Sequence, residues 1–196
     1  MLTVEEITRV AQEFGDDNRL IKSLLHPLDE GKDFITSGNA YRWYAAIAIL
    51  HPSKAITEIG CRFGYSIGTM VAASSPERAY VIDNECYIKG SVAHWQAWMK
   101  ENFPNVVTKH YAERPDTLNP ADLVSVDGDH SYQGTLDDLI WAWWHCKPDG
   151  YLIIDDIIHP FAADVKKAAD YFIKMMRAVY IYLPSFRGTY LIAREK

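Results

Sequence analysis

Along this chain, short apolar runs alternate with segments in which apolar side chains recur every three to four residues. Residues 55–59, 79–82, 106–110, 123–126 and 151–154 read as strands, the last of them apolar throughout. Between them the helical period places Ile67, Met70 and Val71 on one face after residue 64. It spans residues 88–100, and it aligns Leu136, Leu139, Ile140 and Trp143 along residues 135–146. A further stripe joins Phe161, Val165, Ala169, Phe172 and Met176. Residues 179–183 and 189–193 flank a turn at 184–188 and read as an antiparallel hairpin. Upstream, residues 1–35 read as short amphipathic helices interrupted at His26-Pro27 and Glu30-Gly31. A helical run after Gly38, with Trp43, Ile47 and Leu50 on one face, stops at His51-Pro52.

This alternation predicts a doubly wound α/β fold: a mostly parallel seven-stranded sheet with a closing antiparallel hairpin. A strand that is apolar throughout belongs in a sheet covered on both faces. The expected division is an N-terminal helical segment, 1–35, and a single domain, 36–196. Composition agrees, since 196 residues that are 48% hydrophobic suffice for one core. The net charge of −6, with no basic run longer than Lys166-Lys167, argues against a nucleic-acid partner. The longest apolar stretch, 45–50, is too short for a membrane span, and the start carries acids where a signal peptide carries bases. A cytoplasmic location is therefore expected. The three cysteines, Cys61, Cys86 and Cys146, lack metal-type spacing and read as small buried hydrophobes in a reducing compartment.

Ligands of such sheets bind at the carboxyl ends of the strands. After strand one, Gly60 and Gly64 remove Cβ atoms that would block close approach of a ligand, ahead of a helix N-terminus suited to an anion. Arg62 stands where the dinucleotide fingerprint needs its second glycine, so the spacing is wrong for a pyrophosphate. Strand two ends at Asp83, 23 residues after Gly60, where a carboxylate can accept both ribose hydroxyls. Strand four ends in Asp127-Gly128-Asp129-His130 and strand five in Asp155-Asp156. Neighbouring strands lie about 5 Å apart, so these carboxylates face one another and call for a cation or for protonation. Oxygen ligands suit Mg²⁺, Mn²⁺ or Ca²⁺. Acids also flank strand ends because loops are solvated, and Asp129 reads equally as a turn residue or a helix cap.

The pattern Glu58-x-Gly60-x-x-x-Gly64-x-Ser66, followed by Asp83, resembles the donor-binding motif of class I S-adenosylmethionine (SAM)-dependent methyltransferases. Lys147-Pro148-Asp149-Gly150 resembles their Lys-Pro-Gly-Gly turn, with Asp149 replacing a glycine, and the closing hairpin matches their last strand. The resemblance covers residues 34–196. It implies a Rossmann-like methyltransferase fold in which Glu58, Gly60, Gly64, Ser66 and Asp83 bind SAM and Glu113 accepts the adenine amino group. Asp127, a second acid 28 residues on at Asp155, and its neighbour Asp156 resemble the metal-dependent O-methyltransferases of catechol and macrolide-sugar type. That implies Mg²⁺ (or Mn²⁺ or Ca²⁺) on Asp127, Asp155 and Asp156. His130, three residues after Asp127, is then the general base, and Asp127 and His130 are the catalytic pair. The run from Asp127 to Tyr132 is particularly like the sugar enzymes, whose extra N-terminal part this chain does not carry, so the resemblance leaves the acceptor open.

The expected activity is methylation of a hydroxyl on a small sugar-like or catechol-like molecule, with no nucleic-acid or membrane partner; a homo-oligomer is compatible with it. A cation on two vicinal oxygens would lower the hydroxyl pKa, and a neutral His130 could take the proton. Metal-independent transfer and a non-catalytic SAM- or nucleotide-binding module are the competing readings. An NAD dehydrogenase is disfavoured by Arg62 and the hairpin. His159 reads as lining the site mouth or starting a helix, His145 as a packed helix residue, and Trp95, Trp98 and Trp141 as core.

Overall fold

The computed structural model describes residues 1–14, 41–86, 88–185 and 187–195. The expected helices between residues 15 and 40, and the expected domain boundary at 35, lie outside these. Helices α1 (Val4–Phe14) and α2 (Arg42–Leu50) precede the alternating part. That part runs β1 (Ala55–Ile59), α3 (Tyr65–Ser74), β2 (Arg78–Ile82), α4 (Ser91–Asn102), β3 (Val107–Tyr111), β4 (Ala121–Val126) and α5 (Tyr132–His145). It continues with β5 (Cys146–Ile154), α6 (Ala163–Met176), β6 (Val179–Leu183) and β7 (Thr189–Ala193).

The strands form one seven-stranded sheet in the order β3-β2-β1-β4-β5-β7-β6. β7 is antiparallel to β5 and β6, while the pairs among β1 to β5 are parallel. This is the expected Rossmann-like architecture. The strand order reverses between β1 and β4, and it is at such a switch point that loops diverge and open a crevice.

Strand parity sorts the core into two layers. Ile56, Leu123 and Ile153 pack with α1, α2, α3 and α4, around the fully buried Tyr44, Ile67 and Trp95. Val124, Leu152 and Ile154 pack with α5 and α6, around Leu139, Ala169 and Phe172. Both faces of β5 are thus covered, which is why residues 151–154 are apolar throughout.

Five readings of the sequence are corrected. Residues 147–150 do not form a turn ahead of the strand but loop out within β5. Ala121 pairs with Cys146 and Leu123 with Tyr151, so four residues bulge opposite Asp122 alone. Asp149 takes φ 69° there, a left-handed conformation that an aspartate tolerates better than most side chains. Phe161, expected on the buried stripe of α6, precedes that helix and is 91% exposed, and Ile140 turns outward on α5. Cys86 is exposed, whereas Cys61 and Cys146 are buried as expected. Trp141 is half-buried, unlike the buried Trp95 and Trp98, and stacks on His145 with centroids 3.9 Å apart.

Candidate functional site

The loop between β1 and α3 is built on two left-handed glycines, Gly60 at φ 80° and Gly64 at φ 76°. The expectation that their missing Cβ atoms clear space for a ligand is corrected. A Cβ on Gly60 would lie 1.9 Å from the Asp127 carbonyl oxygen, and one on Gly64 2.1 Å from Trp95 Cδ1. The chain itself fills both spaces. The Arg62 amide between them, at φ 48°, donates to Asp83 Oδ2 at 2.7 Å, and the Glu85 amide donates to Oδ1 at 2.6 Å. Asp83 therefore braces the β1 and β2 loops while standing half-buried at the strand tip.

Glu58 is fully buried beneath this loop, and its Oε1 accepts a hydrogen bond from the Ser66 hydroxyl. Burial pushes its carboxyl well above the usual range, and the Asp127 charge adds to the shift. Glu58 and Ser66 thus tie β1 to α3 from below. Glu113 is exposed in the segment beyond β3.

At the switch point the ladder continues into the acidic tips. The Asp127 amide donates to Ile59 O at 2.9 Å and the Asp155 amide to Val126 O at 3.3 Å. His130 Nε2 lies 3.2 Å from Asp156 Oδ2 and 3.6 Å from Asp127 Oδ1. Donor atoms of Asp127, His130 and Asp156 all fall within 4.8 Å of one another. Asp156 is buried at φ 60°, its Oδ1 3.3 Å from Arg187 Nη1. Asp155 stands beside this group, its Oδ1 accepting from Thr189 Oγ1 at 3.1 Å. The sequence had placed Asp155 among the metal ligands and His130 outside them; the group whose donor atoms lie within 4.8 Å of one another contains His130 and not Asp155.

Three carboxylates so close perturb one another. Burial first, then the charges of Asp127 and Asp156, push Asp155 up to about 7. Burial likewise raises Asp127, against the pull of the His130 contact. His130 is raised by its contact with Asp127, with burial opposing. Tyr44 sits in the same field: burial and the charges of Asp155, Asp127 and Glu58 hold its hydroxyl well above the usual range.

The donor set suits a divalent cation. Asp156 Oδ2 is a buried carboxylate oxygen facing His130 Nε2 at 3.2 Å, and the donor atoms of Asp127, His130 and Asp156 converge there. A shallow cleft lies alongside, lined by Asp127, Gly128, Asp129, His130, Thr135 and Asp155. Asp129 itself is a turn residue, its Oδ1 accepting from the Ser131 amide at 2.8 Å, while Ser131 caps α5. The His159 ring lies 6.3 Å from that of His130, at the rim.

Sequence reading missed Tyr44, Arg187 and Thr189. Thr189 alone had a signal: the hairpin register pairs Tyr190 with Ile154, which sets Thr189 beside Asp155. Arg187 lies in the β6–β7 turn, whose direction no periodicity encodes.

A methyltransferase-domain family matches residues 57–157 of the chain, from β1 to just past Asp156. No curated protein sequence matches it. Solved structures share its fold at low identity. An O-methyltransferase of tomaymycin synthesis from Streptomyces achromogenes, in complex with SAM, is 17% identical with a TM-score of 0.66, covering 100% of both chains. A Podospora anserina methyltransferase bound to S-adenosylhomocysteine (SAH) is 15% identical with a TM-score of 0.68, covering 100% of this chain and 98% of its own. A Bacillus cereus O-methyltransferase, also in complex with SAH, is 13% identical with a TM-score of 0.64, covering 98% of this chain and 90% of its own.

Proposed function

We propose that this chain, which belongs to the methyltransferase-domain family, takes its methyl group from SAM and delivers it to a hydroxyl oxygen of a small molecule, assisted by a divalent cation. One observation carries the reading: His130 Nε2 stands within 3.6 Å of both Asp127 and Asp156, at strand tips next to the glycine loop. The SAM- and SAH-bound proteins of the same fold support the choice of donor.

Asp127 and Asp156, with Asp155 beside them, would hold the cation, which would supply Lewis-acid polarisation of the acceptor hydroxyl. Asp83 offers carboxylate oxygens to the donor's ribose, and Glu113 stands beyond β3 on the adenine side. Gly60 and Gly64 shape the loop against Asp127 and Trp95, while Glu58 and Ser66 support it from beneath. His130 accepts the hydroxyl proton on Nε2 as the oxygen–carbon bond forms and the carbon–sulfur bond breaks, the electron pair remaining on sulfur. Asp127 favours the charged imidazolium that results. The acceptor class is a sugar-like or catechol-like hydroxyl, and we assign the protein a cytoplasmic setting. No helix among the described residues is long and apolar enough to cross a membrane.

A second reading, metal-independent transfer, is favoured by Arg187, whose guanidinium already lies 3.3 Å from Asp156. Calorimetry with SAM, and labelled methyl transfer to catechol and hydroxylated sugars with and without EDTA, test both. Absence of SAM binding would sink the proposal. Transfer unaffected by EDTA would replace it with the second reading.

A further inference from the structure

Asp138 lies on α5 and is 7% exposed. Its Oδ1 accepts from Arg114 Nη1 at 2.7 Å, and its Oδ2 packs against the backbone of Gly128. A Cβ on Gly128 would lie 2.7 Å from Asp138 Oδ2, so only glycine lets this carboxylate reach the backbone of the loop that carries His130. Two further bonds fall on the same helix face. Thr135 Oγ1 donates to Asp129 O at 2.7 Å, and Trp141 Nε1 donates to Pro115 O at 3.0 Å. Residues 135, 138 and 141 are spaced by three along α5, so one face grips two loops at once. One is the segment beyond β3, at 114–115. The other is the turn beyond β4, at 128–129.

Stability is a weak reason for this arrangement. Burying a carboxylate costs free energy, and a guanidinium partner offsets only part of it. Replacing buried ion pairs with well-packed apolar residues is often neutral. Here the cost is visible, since burial pushes Asp138 up to about 6 despite Arg114. What the pair achieves is geometric: a single carboxylate fixes the distance between the loop on the donor's adenine side and the loop bearing the base.

We infer that Asp138 is a positioning residue which, through Arg114, couples occupancy of the donor site beyond β3 to the placement of the 128–130 loop. This rests on the SAM-binding reading above. Donor binding orders the 113–115 segment, Arg114 transmits that order to Asp138, and Asp138, packed on Gly128, holds the 128–129 backbone so that His130 faces the acceptor side.

Amide hydrogen exchange of the full chain, with and without saturating SAH, tests the coupling. In the wild type SAH is expected to slow exchange about tenfold both in residues 111–116 and in residues 132–139, the first two turns of α5, a coupling of ordinary size. Arg114→Met keeps the apolar stem and removes the charge. It should preserve protection of 111–116 and lose most of that at 132–139, and Arg114→Lys should restore part of it. Asp138→Asn, which keeps the shape, should behave like Arg114→Met. Full SAH-linked protection of α5 in Arg114→Met would overturn the inference. So would faster exchange of α5 by the same factor with and without SAH, which marks a merely structural pin. A wild type that does not bind SAH would instead defeat the donor assignment on which the inference rests.

Discussion

Gly60 and Asp127 meet so closely that a Cβ on the first would lie 1.9 Å from the carbonyl oxygen of the second. The turn that ends β1 and the turn that ends β4 therefore share one space, and the loop assigned to the donor is packed against the backbone of Asp127, whose carboxylate is proposed to act in catalysis. A side chain at position 60 must displace that backbone and also adopt φ 80°. Gly60→Ala is expected to destabilise the fold by about 3 kcal/mol or more. For a chain of this size that lowers Tm by about 6–12 °C. Thermal melts read it directly, and a Tm near the wild-type value would contradict the packing.

Asp83 is the better probe of the donor site. Its two oxygens accept from Arg62 and Glu85, yet it is half-buried and leaves lone pairs for a ribose. Asp83→Ala should weaken SAH binding about 10–100-fold in calorimetry, the range for losing hydrogen bonds to a charged acceptor. Unchanged affinity would remove Asp83 from the donor site.

His130 must be neutral to accept a proton, and Asp127 raises its pKa above the ordinary 6.5. Turnover should therefore fall at low pH as the imidazole protonates. His130→Ala should lower kcat by about 10²–10⁴-fold and flatten this acidic limb. EDTA should abolish transfer in the wild type, with Mg²⁺ or Mn²⁺ restoring it. A steep acidic limb surviving in the variant would assign the base elsewhere.

Asp155 predicts a conflict between stability and function. Its folded pKa is pushed to about 7, above the ordinary carboxylate value of 3.8, so its ionisation costs stability. That cost is nil below about pH 4, grows as pH rises to 7, and is constant above. Asp155→Asn should therefore melt higher than the wild type at pH 8 in EDTA and show little advantage at pH 4. Saturating Mg²⁺, at 100 times its dissociation constant, should stabilise the wild type by about 2.7 kcal/mol and the variant far less. Equal pH profiles for the two proteins would show that Asp155 is not strained by its neighbours.

Local pattern carried far into the fold. The boundaries of β1, β6 and β7 coincide with the apolar runs at 55–59, 179–183 and 189–193, because each is a short run bounded by turn residues. Pattern failed where a residue obeys tertiary geometry. Residues 147–150 have the composition of a turn, yet β4 continues past them by one residue and holds them as a bulge inside β5. Phe161 has the spacing of a core residue, but α6 starts only at Ala163 and leaves it in solvent.

By itself the sequence determined the alternation of strand and helix, and with it the sheet that brings Asp127 to a tip beside Asp155 and Asp156. Periodicity and the handedness of crossovers leave little else. Only the tertiary structure decided which of these groups touch. His130 faces Asp156, Thr189 reaches Asp155 across the hairpin, and Arg187 approaches from its turn. Such contacts join residues far apart in the chain to within 4 Å. They depend on single backbone angles, such as φ 60° at Asp156 and φ 48° at Arg62, which no hydrophobic pattern records. Gly60 shows the division most plainly: the sequence required a glycine there, and the structure showed that the reason is Asp127.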